Sequence, residues 1–192
     1  MTNDIVNNDI RNCSDAGIHL SVTSNNRMYE NFIDNCKYGV IADSTSNTNV
    51  SNNTFHNVDI ACIQLNDCTS PLVQHNTLYN NDGIGVYLNT DHGTIKYNIF
   101  EETQRGISII GTSNTITNND FLSCSGAGIY CFSVSQLNLI FNNTFDDNGK
   151  SAEEHGDNYW YDETEMKGNY WSDYNWIDRN LDGIGDQDYS TN

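Results

Sequence analysis

The stretch DRNLDGIGD, Asp178 to Asp186, sets oxygen-bearing residues at alternate positions. Asp178, Asn180, Asp182 and Asp186 supply side-chain oxygens, Ile184 offers a backbone carbonyl, and Gly183 stands at the bend. Hard cations collect carboxylate and carbonyl oxygens at this spacing, which follows the first nine positions of a D-x-[DN]-x-D-G calcium loop. Where that loop ends in a bidentate Glu this chain has Tyr189, so Asp188, Asp173 or water would complete the shell. The competing reading is a solvated acidic turn.

Other residues suit sugar chemistry. All three tryptophans, Trp160, Trp171 and Trp176, lie in the last quarter of the chain, and indole or phenol rings stack on the apolar C–H faces of sugars. They are equally suited to covering an exposed strand edge. Glycoside hydrolysis needs two carboxylates facing each other about 5–9.5 Å apart. Candidates recur about every 22 residues in the row Arg11, Asp34, His56, Tyr79, Glu101. Asp91, in LNTDHG, resembles the Asn-Thr-Asp element of pectin-type hydrolases, without the further Asp and the Arg-x-Lys that accompany it there. Copper chemistry wants Met, Cys and His gathered together, and here Met28 and Met166 are isolated and the five His scattered.

The elements that must position these groups are written as a repeat. VSNNTF (50–55), ITNNDF (116–121) and IFNNTF (140–145) are versions of one phrase. Its first apolar letter falls at Ile5, Met28, Val50, Val73, Ile95, Ile116 and Ile140, and its last at Ile10, Ile33, Phe55, Leu78, Phe100, Phe121 and Phe145. Asn occupies one phase in every copy, at Asn8, Asn31, Asn53, Asn76, Asn98, Asn119 and Asn143. A second apolar pair follows at strand periodicity, from Ile18/Leu20 to Ile129/Cys131, each preceded by Gly or, once, Cys62. A turn is expected before each of these strands.

A period near 22 with short strands and Asn-rich corners predicts an all-β chain, a right-handed parallel β-helix of about seven coils. Coils stack at about 4.8 Å, so the invariant Asn forms a column whose amides bond one another. The same residues are expected to take the left-handed corner conformation. Asn12, Asn35, Asn57 and Asn80 predict a second column. Between the apolar pairs, the outward residues His19, Ile41, Gln64, Tyr87, Ser108 and Tyr130 form another, in which Tyr87 and Tyr130 stand two coils apart. Residues 1–148 are assigned to the helix and 149–192 to an aromatic, acidic C-terminal cap.

The net charge of -18 argues against nucleic acid, and no apolar run approaches the roughly 20 residues of a membrane-spanning helix. Residues 146–192 carry 13 acids and 3 bases, about -10 of the total. The cysteines fall mostly at core phases; Cys13 and Cys36 leave free thiols and a disulfide both open. The chain begins inside a coil, which suggests a piece of a longer protein with other domains.

The NN-x-F and GI-x-L repeats, with the ending GNYWSDYNWIDRNLDGIGDQDY, resemble the NosD-type or CASH-domain β-helix proteins of archaeal and bacterial surfaces. The resemblance implies a right-handed β-helix, a secreted or cell-surface setting, association of the wider class with carbohydrate binding and hydrolysis, and a namesake in copper-site maturation. The function expected is a surface module that binds or organises polysaccharide, with Trp160, Trp171, Trp176, Tyr87 and Tyr130 as contacts and calcium at 178–186. The alternatives are a polysaccharide-degrading enzyme using residues such as Asp34, His56, Asp91 or Glu101, a spacer, and a copper-maturation accessory. The acidic loop is tested by calorimetric calcium titration with thermal melting: saturable binding and stabilisation are expected, both lost in Asp182→Ala.

Overall fold

A computed structural model describes residues 3–174 and 189–191 of the chain. The regular structure of these residues is all strand. Parallel strands stack into two sheets, one of eight strands and one of eleven. In the first sheet Ile5, Met28, Val50, Val73, Ile95, Ile116 and Ile140 lie side by side in register. In the second, Ile10, Ile33, Phe55, Leu78, Phe100, Phe121 and Phe145 do. Each written phrase is thus one corner and strand of a coil, and the fold is the expected parallel β-helix.

Counting phrases gives about seven coils, whereas the first sheet has eight strands. The further coil is built from residues that the sequence reading gave wholly to the cap. Lys150–Glu154 pairs with Ala127–Cys131, Asp157–Tyr159 with Gln136–Phe141, and Tyr170–Trp171 with Thr144–Asp146. It is hard to see in the sequence because the ladder step from Asn143 to Asn169 is 26 residues long and because Trp171 stands where earlier phrases end in Phe, Leu or Ile.

The column of invariant Asn is an unbroken hydrogen-bonded ladder, buried from Asn31 to Asn143. Nδ2 of each donates to Oδ1 of the next at 2.9–3.0 Å, from Asn8 through Asn31, Asn53, Asn76, Asn98, Asn119 and Asn143 to Asn169. The backbone N–H of each donates to that same oxygen, as Asn53 N does to Asn76 Oδ1 at 2.9 Å. Nδ2 also donates to carbonyls, Met28 O and Ser51 O in the case of Asn53. Every polar position of the amide is filled, and so it tolerates burial. A shorter ladder runs from Asn114 through Asn138 to Asn158.

The left-handed conformation does not belong to these Asn. It falls one residue earlier, at Asn7, Glu30, Asn52, His75, Tyr97, Asn118 and Asn142. The inner Asn is held by its bonds, and its neighbour absorbs the turn. At the second corner Asn12, Asn35, Asn57 and Asn80 are left-handed as well as stacked, with Asn35 donating to Asn12 at 2.6 Å and Asn80 to Asn57 at 3.2 Å.

Nor does a positive φ explain the glycines before the second apolar pairs. Strands run straight through them, as Phe32–Asp43 runs through Gly39 and Ile99–Ile109 through Gly106. What they supply is room. A Cβ on Gly106 would stand 2.3 Å from Cδ1 of Phe121, and one on Gly39 2.6 Å from Cδ1 of Phe55. The same one-coil step sets Cys62 against Leu78, so the one coil that replaces Gly with a larger residue also replaces Phe with a smaller one. Leu78→Phe is therefore expected to destabilise by about 1–3 kcal/mol through overpacking, and Cys62→Gly in that background to restore most of the loss in urea unfolding. Additive effects of the two changes would separate the positions.

Candidate functional site

The ladders hold the outward side chains at fixed heights, and two outward columns carry candidate chemistry. In the first, Arg11, Asp34, His56, Tyr79 and Glu101 are in register, each beside the next. Arg11 Nη1 donates to Asp34 Oδ2 at 3.1 Å, His56 Nδ1 lies 2.9 Å from Asp34 Oδ1, and His56 stacks on Tyr79 with ring centroids 4.5 Å apart. Asp34 keeps only 15% of its side chain exposed. Its carboxylate is saturated by neighbours. Glu101, the next carboxylate in the column, lies three steps on, about 14 Å at strand spacing, beyond the 5–9.5 Å span over which two carboxylates share a glycosidic bond. The column is a chain of ion pairs and stacked rings rather than an acid pair. Asp91 stands elsewhere, on an open cleft of about 430 Å³ also lined by Asp67 and His92, and its Oδ1 accepts from Thr112 N (2.7 Å) and Oγ1 (3.0 Å).

In the second column Tyr87, Ser108 and Tyr130 are in register on successive coils. Both tyrosines are half-buried, and Ser108 is fully buried with its Oγ unpartnered. Tyr130 is held by neighbours: the Arg105 guanidinium lies over its ring at 4.2 Å, Phe132 meets it edge-on at 4.7 Å, and His155 tilts against it at 5.3 Å. It therefore offers an edge and a hydroxyl to the outside rather than an open face.

The tryptophans divide. Phe100, Phe121, Phe145, Trp171 and Tyr189 form one stack through the core and out of its C-terminal end, with successive centroids 4.9, 4.8, 4.4 and 4.0 Å apart. Trp171 is covered by Phe145 and Tyr189, so it serves the cap and has no free face for a sugar. Tyr189 Oη donates to Asp173 Oδ2 at 2.7 Å, and Ser151 Oγ donates to Oδ1 of the same carboxylate at 3.2 Å. Trp160 donates from Nε1 to Glu154 Oε2 at 3.0 Å, and Glu154 also receives Asn158 Nδ2, ending the shorter ladder. Trp160 lines a cleft of about 600 Å³ with Leu139, Tyr159, Tyr161 and Asp162, where Tyr159 is 55% exposed. Sequence reasoning missed Tyr159, Tyr161 and Glu154, which sit outside the repeat phrase. It weighed Tyr189 only as an absent calcium ligand. Trp176 and the calcium candidates Asp178, Asn180, Asp182, Ile184 and Asp186 lie outside the described residues.

All six cysteines are free thiols, Cys13 half-buried and the other five buried. Burial, with the neighbouring Cys13 thiol adding to it, pushes the Cys36 thiol up to about 11, and burial raises Cys62 and Cys131 further.

The fold and its ladders define a parallel β-helix scaffold, and sequence comparison gives its family. The chain belongs to the NosD family, described as periplasmic copper-binding protein (NosD), whose profile matches residues 1–176. A probable ABC transporter binding protein NosD of Stutzerimonas stutzeri is 39% identical over 79 residues, 41% of this chain and 18% of that protein. The match thus spans less than a fifth of that relative's length. The fold is similar to that of a double mutant of the periplasmic alginate epimerase AlgG, with a TM-score of 0.55 and 17% identity over 67% of this chain and 37% of that one. At that identity the likeness concerns the fold alone.

The family description names copper, and the residues described do not fit a copper centre. Thiols bind metal as thiolates, and burial disfavours that form at Cys36, Cys62 and Cys131. Met28 is fully buried, and Met166 Sδ accepts from Tyr161 Oη at 3.3 Å. Among the described residues no three His, Cys, Asp or Glu gather to hold a metal ion.

Tyr189 gives the cap a pH signature. Burial first, then its bond to Asp173, raises its phenol from 10.0 to about 12. Between those values the folded chain keeps a proton that the unfolded chain releases, so this contribution to stability is present below pH 10 and is lost as pH rises through 12. Absorbance titration at alkaline pH is expected to show a late-titrating phenol that is absent from Tyr189→Phe.

Proposed function

We propose that this chain is a non-catalytic, periplasmic or extracellular module that binds polysaccharide along the outer face of its coils. The observation that carries this reading is the column Tyr87, Ser108, Tyr130, which sets two half-buried tyrosines two coils apart, about 10 Å at strand spacing. That distance suits two sugar residues of an extended chain, and the Asn ladders keep it rigid, so little ordering opposes binding. The cleft at Trp160, with Tyr159 and Tyr161, is a further aromatic surface at the end of the same rod. Calcium at 178–186 would secure the cap without taking part in recognition. The periplasmic description of the NosD family supports the setting.

The copper named in the family description, with the copper-maturation role that the family resemblance implies, supports a second reading, a scaffold that engages a protein partner without holding the metal in these coils. A glycan array, followed by calorimetry on the best ligand, separates the two. Glycan binding that falls at least about tenfold in Tyr87→Ala, the loss of one well-packed aromatic contact, is expected. An array with no bound glycan, together with capture of a copper protein, would favour the scaffold.

A further inference from the structure

We propose that this face recognises an acidic sugar, a uronate, whose carboxylate is bound by Arg105. The inference rests on the glycan-binding reading and adds the ligand's charge. It begins with an unpaired cation. Arg11 is bonded to Asp9 and Asp34, and Arg27 to Asp4, whereas among the described residues Arg105 has no carboxylate partner. Its guanidinium is laid over the Tyr130 ring at 4.2 Å. Stacking fixes the plane and leaves the N–H edges free, and those edges match a carboxylate two bonds at a time.

The surroundings fit the same ligand. Ser108, three residues along the same strand as Arg105, has a buried Oγ without a partner, one of two such side-chain atoms among the described residues. A buried hydroxyl left unfilled is destabilising, and this one sits in the outward column between the two tyrosines. It is fully covered, so it marks a tightly packed floor beneath the tyrosines and is not itself a contact for the sugar. On the far side of Ala127 lies Lys150, two coils from Arg105, so a second cation stands at the same interval as the paired tyrosines. Lys150 is shared with Glu153 at 3.3 Å, as is His155 at 3.2 Å. Glu153 itself stands beside Tyr130 in the column, so of these basic side chains Arg105 alone lacks a carboxylate partner among the described residues.

The test compares an oligogalacturonate with its fully methyl-esterified form, identical except for charge, by calorimetry at fixed salt. Wild type is expected to bind the free acid at least about tenfold more tightly, the worth of a charge-assisted pair. Arg105→Gln should remove that preference, and Arg105→Lys should restore part of it. Unchanged melting of Arg105→Gln confirms that its fold is intact. Equal affinity for acid and ester overturns the uronate inference while the glycan reading stands. Binding of neither also overturns it, and the glycan reading is then judged by the array. A preference that survives in Arg105→Gln places the carboxylate elsewhere and overturns the assignment.

Discussion

A buried carboxamide has two N–H groups and an oxygen to satisfy, and in this chain the partner at the right height is the same carboxamide one coil away. From Asn31 to Asn143 each amide donates forward and accepts from behind at 2.9–3.0 Å. The arrangement tolerates no change of register, because a slipped coil would strand polar groups in the core, where each costs about 1–3 kcal/mol. The ladder therefore fixes both spacing and phase. Other columns inherit them: the aliphatic row from Ile5 to Ile140, the aromatic stack from Phe100 to Tyr189, and the outward rows that carry candidate chemistry.

The ladder also has a direction, and the C-terminal end shows how it stops. Asn169 turns its amide onto the carbonyls of Trp160 and Ile140 at 3.0 and 2.9 Å, Glu154 ends the shorter ladder, and Tyr189 closes the ring stack over Trp171. Polar and apolar columns end within the same few residues. A surface built on this rod is stiff along its axis, which is what recognition of a repeating polymer requires. The ion-paired column of Arg11, Asp34 and His56 has the same stiffness, but it places its carboxylates too far apart for a shared bond.

Much of this was legible in the sequence because a solenoid repeats its physics at a fixed period. The inner Asn, the two apolar rows, the Asn12–Asn80 column and the Tyr87–Tyr130 interval all follow from phase alone. Phase does not reveal which of two adjacent Asn bends the backbone, and the left-handed residue proved to be Asn52 rather than Asn53. Glycine was read as a turn former, although it is the Phe ring of the next coil that requires it. The eighth coil was missed because an inserted turn lengthens its step and Trp171 replaces Phe. Of the site candidates, Asp34 is bound up by Arg11 and His56 and Trp171 belongs to the cap, while Arg105 belongs to no motif. Stacking across coils, invisible in a linear reading, sets its guanidinium over Tyr130.

The central claim is that the inner Asn ladder, rather than apolar burial alone, sets the coils. Urea unfolding of Asn98→Ala tests it most directly, with Asn35→Ala of the exposed ladder as the comparison. Asn98 sits between Asn76 and Asn119 with its amide fully bonded. Its removal should cost about 3 kcal/mol or more, from several buried groups left unpaired, against under about 1 kcal/mol for Asn35→Ala, a change at the surface. A loss at Asn98 no larger than at Asn35 would contradict the account and return the coil spacing to hydrophobic packing.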